Sequence, residues 1–168
     1  MRVLIAFRSR YGTTEACSRS LAGQLEAETQ CIDLSRRGRP DARLFDVVLI
    51  GGSIYGGKIQ REVTWFCERS REPLLQRRVG LFLCCLYRGE RAQGQLQAAF
   101  PPWLTAHAFA SGLFGGALRH DRLSLLDRLL VRGIAHSAGD VSTVRSEAIA
   151  AMADAVNALL PGTPRGSS

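Results

Sequence analysis

Three apolar runs without alternation constrain the fold of this chain more than any other feature. They cover residues 3–7, 47–51 and 79–86. A strand with one wet face alternates apolar and polar side chains, so an unbroken run marks a strand covered on both faces. Helical patterns lie between the runs. Cys17, Leu21 and Leu25 recur four apart, and Val63, Phe66 and Cys67 mark one face of a second helix. A shorter strand at a sheet edge is expected at residues 30–34. Residues 109–118 read as a fifth strand, weakened by Gly112, Gly115 and Gly116. A last helix is expected over residues 143–160, with Ile149, Met152, Ala153, Val156 and Leu160 inward. Strands alternating with helices predict an α/β doubly wound fold: a five-stranded parallel sheet, helices on both faces, and an extra segment near the fifth strand. Residues 1–160 are read as one domain with a sizeable core, and residues 161–168, rich in Pro, Gly and Ser, as a disordered tail.

Sheets of this kind bind ligands at the carboxyl ends of their strands, so the residues after each apolar run carry the functional signal. After the first run comes Ser9-Arg10-Tyr11-Gly12-Thr13-Thr14. A loop of hydroxyls and glycine between a buried strand and a helix can wrap a phosphate with backbone N–H groups, hydroxyl donors and the field of the helix N-terminus. No lysine followed by Ser or Thr closes the loop, which sets aside the nucleoside-triphosphate type. The glycines are too few for a dinucleotide fingerprint. Two readings stay open: an ordinary strand-to-helix turn, or a terminal phosphate held by neutral donors, as in flavin mononucleotide (FMN). After the second run comes Gly52-Ser53-Ile54-Tyr55-Gly56-Gly57-Lys58. Its glycines let the backbone approach a flat ring that Ile54 and Tyr55 could cover, and a flexible turn is the alternative. After the third come Tyr87, Arg88, Gly89, Glu90 and Arg91. Together the three loops supply phosphate, ring and edge contacts for one flavin.

In this order the loops resemble those of a flavodoxin. More specifically, Ile50-Gly51-Gly52-Ser53-Ile54 and Gly115-Gly116-Ala117-Leu118-Arg119, followed by Asp127-Arg128, resemble the menaquinone-dependent protoporphyrinogen oxidases. The similarity runs from Arg2 to about Leu160. It implies a flavodoxin-like fold, FMN, and six-electron oxidation of protoporphyrinogen IX to protoporphyrin IX in haem biosynthesis, with electrons passed to a quinone. Under the resemblance, the phosphate loop maps to Ser9, Arg10, Tyr11, Gly12, Thr13 and Thr14. The ring loop maps to Ser53, Ile54, Tyr55, Gly56 and Gly57, and the third loop to Cys85, Leu86, Tyr87 and Arg88. The chain departs from the family in two places: tyrosine and glycine stand where an arginine–tyrosine pair is expected, and the third loop lacks a polar amide.

Residues 120–139 exceed what a minimal doubly wound domain needs. On a helical wheel Leu123, Leu126, Leu129, Leu130 and Ile134 share a stripe, with Arg128, Arg132 and His136 beside it. Such a stripe could lie on an acidic membrane surface, cover an apolar substrate, or pack on the core. The resemblance places the oxidase's distinguishing insertion here. Arg119 and Arg122 are candidates for binding anionic propionates through bidentate bonds, and ordinary solvated arginines are the alternative.

The formal net charge of +7 comes almost wholly from arginine, Lys58 being the sole lysine. A basic surface seeks an anionic partner, yet the arginines are scattered without base-stacking aromatics, so nucleic acid is not expected. Five cysteines, odd in number and without a Cys-x-x-Cys, predict neither a disulfide framework nor a zinc site and fit a reducing cytoplasm. Cys84 and Cys85 read as small buried hydrophobes. Trp65 and Trp103 read as core or helix-packing residues, and His107, His120 and His136 lack metal-ligand spacing. The sequence opens on a strand rather than a signal peptide, and no run is long enough to span a membrane. A cytoplasmic FMN-dependent dehydrogenase is the leading expectation, with peripheral contact at the inner face of the cell membrane as an option. A flavodoxin-like carrier and a binding module without FMN are the others, and the oligomeric state is left open.

Overall fold

The structure, a computed structural model, describes residues 1–35, 40–55, 57–118, 141–142 and 144–161. The three apolar runs form the centre of a sheet: β1 (Arg2–Phe7), β3 (Val47–Tyr55) and β5 (Arg78–Cys84). β2 (Glu28–Asp33) lies at one edge, β6 (Ala110–Leu113) at the other, and β4 (Lys58–Ile59) pairs with the end of β3. The order β2-β1-β3-β5-β6 is parallel throughout, with β4 antiparallel to β3. This is the five-stranded doubly wound sheet that the alternation of runs and helical patterns predicts.

Side chains alternate across the pleat, so each central strand feeds two cores. Val3, Ile5 and Phe7 of β1 join Val47 and Leu49 of β3 under α1 (Thr13–Ala22) and the last helix. Leu4 and Ala6 join Val48 and Ile50 on the opposite face. There they pack under α2 (Arg61–Arg69), α3 (Arg71–Leu75), α4 (Gly89–Ala99) and α5 (Pro102–His107). Burial on both faces is what erases alternation from these strands. The last helix, α6 (Ser146–Asn157), buries Ile149, Met152, Ala153 and Val156 as expected, while Leu160 lies beyond its end and is half-buried.

The expectations shift in four places. Leu25 falls outside α1, which ends at Ala22, and packs half-buried on the α1–α6 core. β3 runs on to Tyr55, so the expected second loop is largely strand and hairpin. The expected fifth strand divides: β6 stops at Leu113, and the chain turns through Gly115 at φ 76°. It resumes as β7 (Ala117–Leu118), which pairs with β8 (Val141–Ser142) away from the main sheet. Trp65 is 52% exposed, with the Arg61 guanidinium 4.4 Å from its ring centroid, whereas Trp103 is half-buried against the core. All five cysteines carry free thiols.

Candidate functional site

β1 has β2 on one side and β3 on the other, so the connections after β1 and β3 leave in opposite directions. Such a switch point opens a crevice at the carboxyl edge. Ser9, immediately beyond β1, is buried, and its Oγ accepts a hydrogen bond from the Gly12 N–H at 3.1 Å. Gly12 turns with φ 93°, a left-handed conformation that glycine adopts without steric cost, and α1 begins at the next residue. α1 receives no side-chain cap from Gly12, the residue that precedes it. Its N–H groups therefore face the loop beside the half-buried Thr13 and Tyr11. Arg10 is exposed, its guanidinium 5.4 Å from the centroid of the Tyr11 ring.

Thr14 stands differently. It is buried, and its side chain lies near the Cys84 thiol at the end of β5, where it favours the thiolate. Only its backbone, at the second position of α1, belongs to the phosphate loop. Cys84 also hydrogen-bonds Cys17, and that bond together with burial pushes its thiol well above the usual range. Both cysteines pack with the core, as small hydrophobes do.

In the second segment, Ser53 is held by a residue that the sequence reading passed over. The Ser53 N–H donates to Gln60 Oε1 at 3.0 Å, and Gln60 Nε2 donates to Ser53 Oγ at 2.5 Å. Ile54 pairs with Ile59, Tyr55 pairs with Lys58, and Gly57 turns at φ 79°. Ile54 is half-buried and packs on the α2–α5 core. The glycines ahead of it also serve packing. A Cβ on Gly51 would lie 2.0 Å from two carbons of the Phe82 ring, and one on Gly52 would lie 2.8 Å from Ile59 and Gln60. Gly56 lies outside the described residues.

In the third segment, Cys85 is buried, and its thiol reaches the Tyr87 carbonyl at 3.9 Å. Burial pushes this thiol up, and the nearby Arg145 opposes that shift. Leu86 is half-buried and packs where a Cβ on Gly116 would fall, 2.9 Å away. The Arg91 guanidinium stands 3.8 Å from the centroid of the Tyr87 ring, and Arg88 is exposed just before α4. Arg119, Arg122, Leu123, Leu126, Leu130 and the rest of residues 119–140 lie outside the described residues.

A second residue that the sequence reading missed, Arg8, ties two segments together. From the end of β1, its Nε donates to Glu62 Oε1 of α2 at 3.3 Å, and its Nη1 donates to the Ser9 carbonyl. Asp33 of β2 lies 3.8 Å away. A lone charged residue ending an apolar strand was the available signal. Among the described residues no group of three His, Cys, Asp or Glu side chains could hold a metal ion. Among them, too, no helix is long and apolar enough to cross a membrane.

Fold and loop define an α/β domain with a turn of hydroxyls and glycine at its switch point. The start of α1, the turn at Gly12 and the hydroxyls of Ser9 and Thr13 are a donor set whose chemistry fits a phosphate monoester. Residues 4–144 match the family described as flavodoxin domain, and the chain belongs to that family. The fold is shared with solved structures at low identity. An archaeal flavodoxin is 13% identical, with 93% of this chain and 99% of that one covered, at a TM-score of 0.53. A flavodoxin of Streptococcus pneumoniae TIGR4 is 14% identical, with 95% and 100% covered, at 0.55. A WrbA-like flavodoxin of Agrobacterium tumefaciens is 16% identical, with 94% and 96% covered, at 0.54. No curated protein matches the chain in sequence. Flavodoxin-type domains bind FMN and serve electron transfer or oxidoreduction.

Proposed function

We propose that the protein is an FMN-dependent dehydrogenase that oxidises protoporphyrinogen IX and passes the electrons to a quinone. The carrying observation is where the extra segment is rooted. β7 and β8 pair Ala117 with Ser142 and Leu118 with Val141, so residues 119–140 depart and return at one point. Gly116, at the base of that stem, sits against Cys85 and Leu86 of the third site loop. The ends of this leucine- and arginine-rich span, Leu118 and Val141, are thereby paired next to the third loop, and under this proposal the span covers an apolar, carboxylated substrate there.

When bound, FMN supplies hydride and electron transfer between the two substrates. The chain's own residues hold and orient it. Ser9, Gly12, Thr13 and the first turn of α1 would bind the phosphate. The Ser53–Gln60 pair fixes the hairpin at the second strand end, and Tyr87 with Arg91 forms the third wall. Arg119 and Arg122 would bind propionates, and Leu123, Leu126 and Leu130 would face porphyrinogen, quinone or the membrane surface. Overall, one porphyrinogen gives up six hydrogens as three quinones become three quinols.

The test is anaerobic incubation of the purified protein with protoporphyrinogen IX and menadione. Expected are a yellow protein and quinone-dependent growth of porphyrin fluorescence. Full-length coverage of flavodoxins favours a second reading, an electron carrier acting through a protein partner. A yellow protein without porphyrinogen turnover would move that reading ahead, and a colourless one would leave the FMN-free module.

A further inference from the structure

α2 carries a ridge that the crevice does not use. Arg61, Trp65 and Arg69 stand four residues apart and are all exposed, so they line one outer stripe of the helix. Trp65 is the largest exposed apolar side chain among the described residues, at 52%. The Arg61 guanidinium lies 4.4 Å from its ring centroid, and beside the ridge the Arg71 guanidinium lies 5.1 Å from that of Trp103. Among the described residues, Arg61, Arg69 and Arg71 make no ion pair. The carboxylates of α2 are engaged to either side: Glu62 accepts from Arg8 Nε, and Glu68 accepts from Trp103 Nε1 at 3.5 Å. Glu72 lies past the end of α2, in a cleft that Arg43 and Arg69 also line.

We infer that this ridge docks on an anionic lipid bilayer. Tryptophan settles at the headgroup level because its ring is apolar and its N–H is polar. Arginines one turn to either side would reach phosphates of the same leaflet, and a chain with a net charge of +7 is drawn to a negative surface. A second copy fits the ridge badly. A two-fold antiparallel contact centred on Trp65 sets Arg61 against Arg69 and Glu62 against Glu68, and a parallel one sets each arginine against itself. A single-stranded nucleic acid needs a groove with open ring faces, whereas α2 presents a convex surface with Arg61 over the Trp65 ring. α2 starts next to Gln60, which is bonded to Ser53 at the second strand end, so the Arg61 end of the ridge borders the crevice. The docking does not depend on which molecule is oxidised there.

Trp65 and Trp103 are the only tryptophans, so Trp103→Phe leaves Trp65 as the sole indole emitter. The full chain carrying this change would be mixed with vesicles of equal parts phosphatidylglycerol and phosphatidylcholine, or of phosphatidylcholine alone. Parallel samples would carry brominated acyl chains. On anionic vesicles the Trp65 emission should move to the blue, and brominated chains should quench it about twofold or more. Neutral vesicles or high salt should produce neither effect. The wild type should float with the same anionic vesicles. Arg61→Gln with Arg69→Gln should weaken binding about twentyfold, each basic residue near such a surface being worth about fivefold. Arg2→Gln with Arg19→Gln removes the same charge from β1 and α1, where both arginines are paired, and should cost less than about threefold. Thermal midpoints check that each variant is folded. Absence of binding to anionic vesicles would overturn the inference. So would binding that leaves Trp65 unquenched, or equal losses in the two double variants. Quenching of Trp65 by a thymidine oligonucleotide but not by vesicles would overturn it in favour of nucleic acid.

Discussion

Thr14 and Thr13 are adjacent in the motif and opposite in the structure. Thr14 turns its side chain to Cys84, so a glutamate there would be forced into the core. Thr13 is half-buried at the first position of α1. Thr13→Glu should therefore leave the thermal transition in place while lowering FMN affinity at least about tenfold, through repulsion of the phosphate. Flavin fluorescence titration measures it, and unchanged affinity would move the phosphate elsewhere. The motif made the loop legible because it needs only residue types in order. The direction of each side chain depends on helix phase, which the motif does not carry. Gln60 and Arg8 escaped for another reason: their roles come from partners at Ser53 and Glu62, on other elements. Cys67 yields a pH prediction. Burial pushes its thiol from the usual 9.0 up to about 12. The native state thus keeps a proton that the unfolded chain sheds. The unfolding free energy should fall as pH rises from 9 towards 12. Urea midpoints near pH 9 and about pH 11 should decline more steeply for the wild type than for Cys67→Ala, and parallel declines would contradict the assignment.

The glycines of β3 were legible as a cluster, and their work emerges only across elements. Gly51 leaves room for the Phe82 ring, which stacks on Phe114 at a centroid distance of 4.7 Å. Gly51→Ala should cost about 2–3 kcal/mol, because neither ring can retreat within a filled core. Gly94, exposed on α4 with nothing near its absent Cβ, gives the contrast. Gly94→Ala should stabilise by about 0.5–1 kcal/mol, since alanine has less backbone freedom to lose. Denaturant midpoints of the pair test the packing argument, and similar midpoints would refute it. The long central strands were readable because two-sided burial leaves an apolar run. β4 was not, being two residues long and defined only by pairing with Ile54 and Tyr55. Residues 109–118 misled because the break between β6 and β7 lies in the φ of Gly115, and a glycine can be a turn or a packing gap.

At the scale of the whole molecule, the β7–β8 stem brings the two ends of the extra segment together, and Gly116 at its base lies against Cys85 and Leu86 of the third loop. Leu118 and Val141 are a cross-strand pair, so an Asn-Gly link replacing residues 119–140 would close a hairpin. That deletant should fold, take up FMN and lose porphyrinogen oxidation. Failure to fold would assign the segment to the core, and undiminished turnover would remove it from the reaction. A stem of two facing pairs has a further consequence. Its ends are already together, so doubling the intervening chain costs only about 0.6 kcal/mol of closure entropy. The sheet is nearly indifferent to how many residues pass through that gate, and to which. Under the proposed function, mutation could therefore lengthen, shorten or rewrite the span while the sheet stays as it is, and what is oxidised would drift independently of what does the oxidising.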